Sequence, residues 1–277
     1  MKNIKSYTGS DIGFHNDIVN NSLKKGDVKD NLISNKHIIE ASFADYKIRF
    51  ENKNLFDVSA HGFIGENKSN LLKLYSSQRK AIVELKTELT TDDNNRRNNI
   101  CPNCTIETVS SLDHFIPKEE FPEFSVNPIN LIPCCTTCNS KKKEFWKNDE
   151  QMFFLNLYSD IIPNEQFLFV TIYSNIDFSF EIKNVHNIDD DLFNVIESHY
   201  DKLELLQRFK ENADNEISEL EYLIDSCDDK TQDELARFLL AHYKNKEAKF
   251  GMNNWKIVLV KAMIESGLYF RDEMINN

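Results

Sequence analysis

The sequence predicts an α+β protein, predominantly helical, with a central cysteine-rich module and a C-terminal helical region. Three observations carry this. Apolar residues recur at helical spacing on both sides of the middle, five of the six cysteines fall in one short segment, and an alternating β-type pattern follows that segment. With 277 residues, 40% hydrophobic and 11% aromatic, the chain can bury cores as one large domain or two to three small ones. Three parts are expected: an N-terminal leader and helical region over 1–99, the cysteine-rich module over 100–148, and a hairpin plus acidic helical domain over 149–277.

The first thirty-five or so residues are rich in Asn, Asp, Lys and Ser, with few paired apolar positions, and predict a mobile or loosely packed leader. Over 68–89, Leu71, Tyr75, Ile82, Leu85 and Leu89 recur at helical spacing and predict a helix, which the polar run at 90–99 ends. Beyond the module, residues 167–173 are aromatic and β-branched, and Ile176, Phe178, Phe180 and Ile182 alternate with polar residues. With Ser174 and Asn175 between them, these predict a β-hairpin. From Asp191 a single apolar stripe runs through Leu192, Val195, His199, Leu203, Leu206, Phe209, Ala213, Ile217, Leu220 and Ile224, predicting one helix of about eight turns. After a break at 227–230, helices are expected over 232–250 and 254–270. No run approaches the ~18 apolar residues of a membrane span and no apolar stretch opens the chain, so a cytoplasmic protein is expected.

The informative segment is 101–146. Cys101/Cys104 and Cys135/Cys138 form two CxxC pairs, and two such turns facing each other complete a tetrahedral four-thiolate zinc site. With four protein ligands no position is open to water, so this zinc would be structural. Cys134 could exchange with Cys135 as a ligand, though the CxxC spacing favours Cys135; Cys134 and Cys227 read as small buried hydrophobes. Between and after the pairs stand Asp113-His114, Asn130 and Asn139, then Lys141, Lys142 and Lys143. Phosphodiester hydrolysis needs a base, a divalent cation and positive groups for the backbone, and each is available here. His114 can accept a proton at cellular pH, while Asp113 and the Asn139 amide oxygen are hard ligands.

The order DH, N, CxxCN and K resembles the HNH, or ββα-metal, endonucleases in a zinc-clamped version, over about 46 residues. The resemblance implies a nuclease module with His114 as general base and Asn130 fixing the loop behind it. It makes Asp113 and Asn139 the ligands of a catalytic Mg²⁺ or Mn²⁺, and Lys142 a phosphate contact. Many members carry histidine where Asn139 stands; active HNH domains of RNA-guided nucleases share the asparagine, and an amide oxygen points to Mg²⁺ or Mn²⁺. The stretch around 117–135 is similar to bacterial phage-defence HNH proteins of Septu-like or retron-linked systems. That implies DNA as substrate, a partner subunit such as an ATPase, and a possible oligomer.

Plainer readings stand beside these. The lysines read as a solvated face or a phosphate grip, to which Arg96, Arg97 and Lys118 could add; Asn130 alone is an ordinary turn residue; His199, on an apolar stripe, is a core histidine. A zinc-binding adaptor without catalysis, or an HNH enzyme cutting RNA, is the alternative to a DNA nuclease. The net charge of -12 is unevenly spread. Residues 1–148 carry 21 Lys and Arg against 19 Asp and Glu, whereas 149–277 carry 12 against 26. An acidic second half repels phosphate, so a nucleic acid would be held by the first half or brought by a partner.

Overall fold

The computed structural model describes residues 1, 3–21, 26–174, 177–227 and 230–267. It is an α+β chain dominated by helix, with two separate two-stranded antiparallel sheets among the described residues. It divides into two compact units, one spanning Asn3–Ile161 and the other running from Ile162 and including Met1. Residues 3–99 and 100–148, set apart in the sequence, therefore share one unit, which also takes in 149–161.

In the first unit, α1 (Asp11–Asn20), α2 (Asp27–Ser34) and α3 (Lys36–Glu51) precede α4 (Gly65–Leu72) and α5 (Lys80–Leu89). The leader is not loose where it is described. Ser10 caps α1 by accepting from the Gly13 N–H at 3.0 Å, and Ile18, Val19 and Leu32 are buried beside Ile39, Phe43 and Tyr46 of α3. Its few apolar residues fall on one face of each short helix, and a helix that small needs only one such face. The helix expected over 68–89 is interrupted. Residues 73–79 form a turn in which Arg79 N–H bonds Ser76 O, and Arg79 is extended.

The module follows as β1 (Ser111–His114), a connection over 115–130 with short 3-10 turns at Pro122–Phe124 and Pro128–Asn130, β2 (Leu131–Cys134) and α6 (Thr136–Lys142). β1 and β2 pair antiparallel, with Ser111 opposite Cys134 and His114 opposite Leu131. Nearly all of the connection is buried, and Phe121 and Phe124 anchor it. Phe124 meets the Tyr46 ring edge-on at 4.9 Å and the Phe43 ring at 6.2 Å.

In the second unit the expected hairpin forms: β3 (Leu168–Ile172) pairs with β4 (Phe178–Ile182), Leu168 opposite Ile182. Asn175 of its expected turn and Ile176 of its expected second strand lie outside the described residues. The single long helix is replaced by three, α7 (Asp190–Lys202), α8 (Leu205–Glu211) and α9 (Asp214–Asp225). Glu204 takes a left-handed conformation at φ 52°, and a second bend falls at Asn212 and Ala213. Leu203 and Ala213 are buried at the bends, so the apolar stripe continues while the backbone turns. The turning packs Phe209 against Trp255, stacked at 5.3 Å, and against the Phe180 and Tyr200 rings at 5.5 and 6.1 Å. The left-handed residue costs roughly 1–2 kcal/mol, less than burying one large aromatic side chain returns.

α10 (Gln232–Phe250) starts on a capping box made by Thr231 and Glu234. α11 (Trp255–Ser266) is capped by Asn254 and ends at Gly267 with φ 65°, a conformation glycine adopts without strain; residues 268–270 of the expected helix lie outside the described residues. His199 is buried, as a core histidine should be, and Cys227 is only half-buried, a correction to its reading as a core residue. No helix among the described residues is long and apolar enough to cross a membrane.

His15 of α1 is 2% exposed, its ring edge-on to Phe43 at 5.6 Å and its Nδ1 without a hydrogen-bond partner. Burial pushes its pKa down to about 4. The unfolded chain therefore takes up a proton near pH 6.5 that the folded chain refuses until about pH 4, so stability is full above pH 6.5 and falls as the pH drops through that window. Chemical denaturation at pH 7 and pH 5 should show a loss of about 2 kcal/mol attributable to this site. The loss should disappear in His15→Leu, and an unchanged pH dependence in that variant would refute the assignment.

Candidate metal centre and active site

The thiol cluster is assembled from two turns. Cys101 and Cys104 sit on a tight turn closed by Thr105 N–H to Cys101 O at 2.8 Å, and Cys101 N–H bonds Glu107 O at 2.8 Å. Cys135 caps α6, which brings Cys138 round in its first turn. The Sγ atoms of Cys101, Cys104, Cys135 and Cys138 all lie within 4.8 Å of one another and all four residues are fully buried. Zinc–sulfur bonds of ~2.3 Å in a tetrahedron imply sulfur–sulfur edges of about 3.8 Å. The Cys104–Cys135 separation is 3.8 Å.

Backbone N–H groups point at the sulfurs: Cys135 N–H to Cys101 Sγ and Cys138 N–H to Cys135 Sγ at 3.4 Å, and Ile106 N–H to Cys104 Sγ at 3.5 Å. Such donors favour thiolate over thiol, as metal ligation requires. Hydrogen bonding with Cys101 lowers the Cys104 pKa, and the same contact raises that of Cys101. A buried four-cysteine group of this kind can hold a metal such as zinc with no open position. Cys134, buried at the end of β2, is outside the four-sulfur group and accepts from the Asn103 amide at 3.5 Å.

Around β1 the side chains divide by face, as strand alternation requires. Asn139 of α6 donates its amide to Ser111 Oγ at 3.3 Å. One turn along α6, Lys142 Nζ lies 3.4 Å from Asp113 Oδ2 and donates to His114 O at 2.7 Å. Ser111, Asp113, Asn139 and Lys142 thus line the side of the hairpin next to α6. Burial raises the Asp113 pKa, and Lys142 opposes that shift.

The His114 ring points away from this group. Its Nε2 lies 2.8 Å from Ser125 O and the Tyr75 ring stands edge-on at 4.5 Å. Since a carbonyl can only accept, Nε2 carries the proton and Nδ1 is the ring's acceptor. Burial lowers the pKa to about 3, so the ring is neutral. The structure therefore pairs Asp113 with Lys142 and Asn139 with Ser111, and places His114 in a separate contact.

Asn130 is fully buried and holds the chain just after His114. Its Oδ1 accepts from Ile116 N–H at 2.8 Å and from Tyr46 OH at 3.1 Å, its Nδ2 donates to Ile116 O at 3.0 Å, and its own carbonyl accepts from Phe115 N–H at 2.8 Å.

The basic residues fare unequally. Lys142 is buried and engaged with His114 and Asp113 rather than presented as a phosphate contact, Lys141 is half-buried and Lys143 is exposed at the end of α6. Lys118 pairs with Glu119 at 2.6 Å, and Arg96 and Arg97 are exposed on a turn where Asp92 N–H bonds Arg96 O.

No protein-family model matches the chain, and no solved structure matches it. Among curated proteins it is similar to Protein ea31 of Escherichia phage lambda, 31% identical over 126 residues. That match covers 43% of this chain and 43% of the phage protein.

Three tyrosines outside the motif complete the site, and none was legible as part of it. Tyr46 bonds Asn130, Tyr75 OH donates to Leu112 O at 2.6 Å, and Tyr158 OH donates to Leu131 O at 2.6 Å. The last two satisfy carbonyls of β1 and β2, which have no further strand neighbour among the described residues. Tyr75 carried a signal only as a member of an apolar stripe.

Metal analysis of purified protein should find a single zinc equivalent, absent from Cys135→Ser and retained by Cys134→Ser; equal zinc in both variants would refute the four-ligand assignment. Asn130→Ala leaves both polar groups of Ile116 and the Tyr46 hydroxyl without partners and should lower stability by about 3 kcal/mol in urea denaturation. A change under ~1 kcal/mol would show that water replaces the side chain.

Proposed function

We propose that this chain is a metal-dependent endonuclease of the HNH type, hydrolysing phosphodiester bonds in DNA inside the bacterial cytoplasm. The observation that supports this best is Asn130: in the position the motif gives it, it ties down the backbone directly after His114, as a residue serving a general base would. Asp113 offers a buried carboxylate and Asn139, from α6, an amide oxygen, a donor set suited to Mg²⁺ or Mn²⁺. A divalent ion held there supplies neutralisation of the charge on the phosphate and the leaving oxygen. Lys142, now beside Asp113, would move aside for it and retain its bond to the His114 carbonyl or turn to phosphate.

His114, neutral and with its Nε2 proton committed to Ser125, accepts the proton of the attacking water at Nδ1. The negative charge of a bound phosphodiester raises the pKa of that ring toward the range where a base is effective. Lys143 and Lys141, at the end of α6, would hold the nucleic-acid backbone.

The similarity to a phage lambda protein supports a setting where phage and bacterium meet, and we read the enzyme as the effector of an antiphage system. The acidic second half disfavours DNA binding by the chain alone. A partner subunit such as an ATPase would then deliver it, as a complex or oligomer.

A second reading, a zinc-clamped adaptor without catalysis, draws on one observation: Asp113 and Lys142 satisfy each other without an ion while His114 faces elsewhere. The two readings separate in one assay. Wild type, His114→Ala and Asp113→Ala are incubated with plasmid DNA and with RNA, with Mg²⁺ or Mn²⁺ added or withheld and zinc content checked. The nuclease reading expects DNA cleavage that needs the added ion and falls about 100-fold or more in each variant. Cleavage unaffected by His114→Ala would refute the assigned base, cleavage of RNA alone would reassign the substrate, and no cleavage by folded, zinc-loaded wild type would favour the adaptor.

A further inference from the structure

We infer that Tyr75, outside the cysteine-rich module, is the positioning residue for the general base, its ring setting the orientation of the His114 imidazole while its hydroxyl satisfies the Leu112 carbonyl. This rests on the nuclease reading for its consequence in catalysis and on geometry for the rest. Tyr75 lies in the turn over 73–79, between α4 and α5, where the chain leaves the helix that its apolar spacing would have continued. That departure takes the ring to His114, centroids 4.5 Å apart with the planes at 69°, an edge-on packing. The hydroxyl reaches Leu112 O at 2.6 Å. That carbonyl belongs to the peptide unit joining Leu112 to Asp113.

The imidazole thus has two handles. Ser125 O holds Nε2, and Ser125 is itself anchored by its Oγ donating to Leu71 O at 2.8 Å, at the end of α4. Tyr75 follows Leu71 by one helical turn, so both handles come from the same stretch of chain. A hydrogen bond at one edge defines where Nε2 points but leaves the ring free to rock about that bond; a second ring packed against it in a T-shaped arrangement restricts that freedom. Tyr75 also senses Asp113: burial first, then the carboxylate charge, raises its pKa to about 12, so the hydroxyl stays a donor at every working pH.

The experiment compares Tyr75→Leu, which removes the ring, with Tyr75→Phe, which keeps it, in the full chain with zinc content checked. The histidine rings are observed by NMR of protein with nitrogen-labelled histidine, His114 being assigned with His114→Gln. In Tyr75→Leu the His114 ring signals should shift or broaden while zinc is retained. Its kcat on DNA with Mg²⁺ should fall about tenfold to hundredfold with KM little changed, since only the orientation of the base is lost. Tyr75→Phe should keep the wild-type ring signals and a kcat within about threefold, the rescue that separates ring packing from general stability.

Wild-type His114 signals in zinc-loaded Tyr75→Leu would overturn the inference, as would Tyr75→Phe losing as much as Tyr75→Leu. If wild type cuts no nucleic acid, the nuclease reading fails. The ring signals then still decide whether Tyr75 holds His114.

Discussion

The first unit depends on one constraint: the connection over 115–130 is buried except at 118–120, so most of its backbone groups cannot turn to water and must be satisfied from within. Connections of this length normally lie on a surface. Here Asn130 bonds both polar groups of Ile116 and uses its remaining acceptor capacity on Tyr46, while Ser125 reaches Leu71 O and Asn127 caps the short turn that follows it. A side-chain amide offers an acceptor and a donor in one plane and so stands in for a strand neighbour that the chain does not provide. Leucine at the same place would fill the volume and leave the peptide groups unpaired, a penalty of a few kcal/mol.

The same accounting explains the tyrosines. A two-stranded sheet has two outer edges, and in β1 and β2 these face protein. Tyr75 and Tyr158 bring a hydroxyl to a carbonyl on each strand, and Lys142 brings an ammonium to the last carbonyl of β1. A bulky ring with one polar tip suits this, because the ring fills the core beside the strand while the tip closes the hydrogen bond. Lys142 does this at greater electrostatic expense, being buried, and Asp113 at 3.4 Å offsets the charge. The pair explains why a lysine can be buried within the module, and it also means that a cation already stands where the motif would place one.

What could be read from the sequence follows from how local each signal is. The four-cysteine group was legible because CxxC spacing fixes sulfur positions within a single turn, and the structure gathers Cys135 rather than Cys134 because only Cys135 caps α6. The β3–β4 hairpin and the start of α10 were legible for the same reason, being set by alternation and by Thr231 with Glu234. The helix breaks at 73–79 and Glu204 were not. The apolar period runs unbroken through both, and what ends each helix is a tertiary opportunity, Tyr75 reaching β1 and Phe209 reaching Trp255. Tyr46 and Tyr158 were silent for a like reason, since nothing near them in sequence announces a partner more than twenty residues away.

Strand alternation poses the sharpest question for the site. Neighbouring residues on β1 leave it on opposite faces, so Asp113 turns toward α6 and His114 toward Ser125 and Tyr75. For one phosphate to engage both, it has to lie across the end of the strand rather than over either face, and His114 is the last residue of β1. The end of a short, twisted two-stranded hairpin is where its two faces are least separated. Asn130 acts at that point, bonding Ile116 two residues beyond His114 and turning the chain out of the strand direction. The residue that satisfies the buried connection is therefore also the one that holds the bend just past the strand end, and any chemistry uniting Asp113 and His114 depends on that bend.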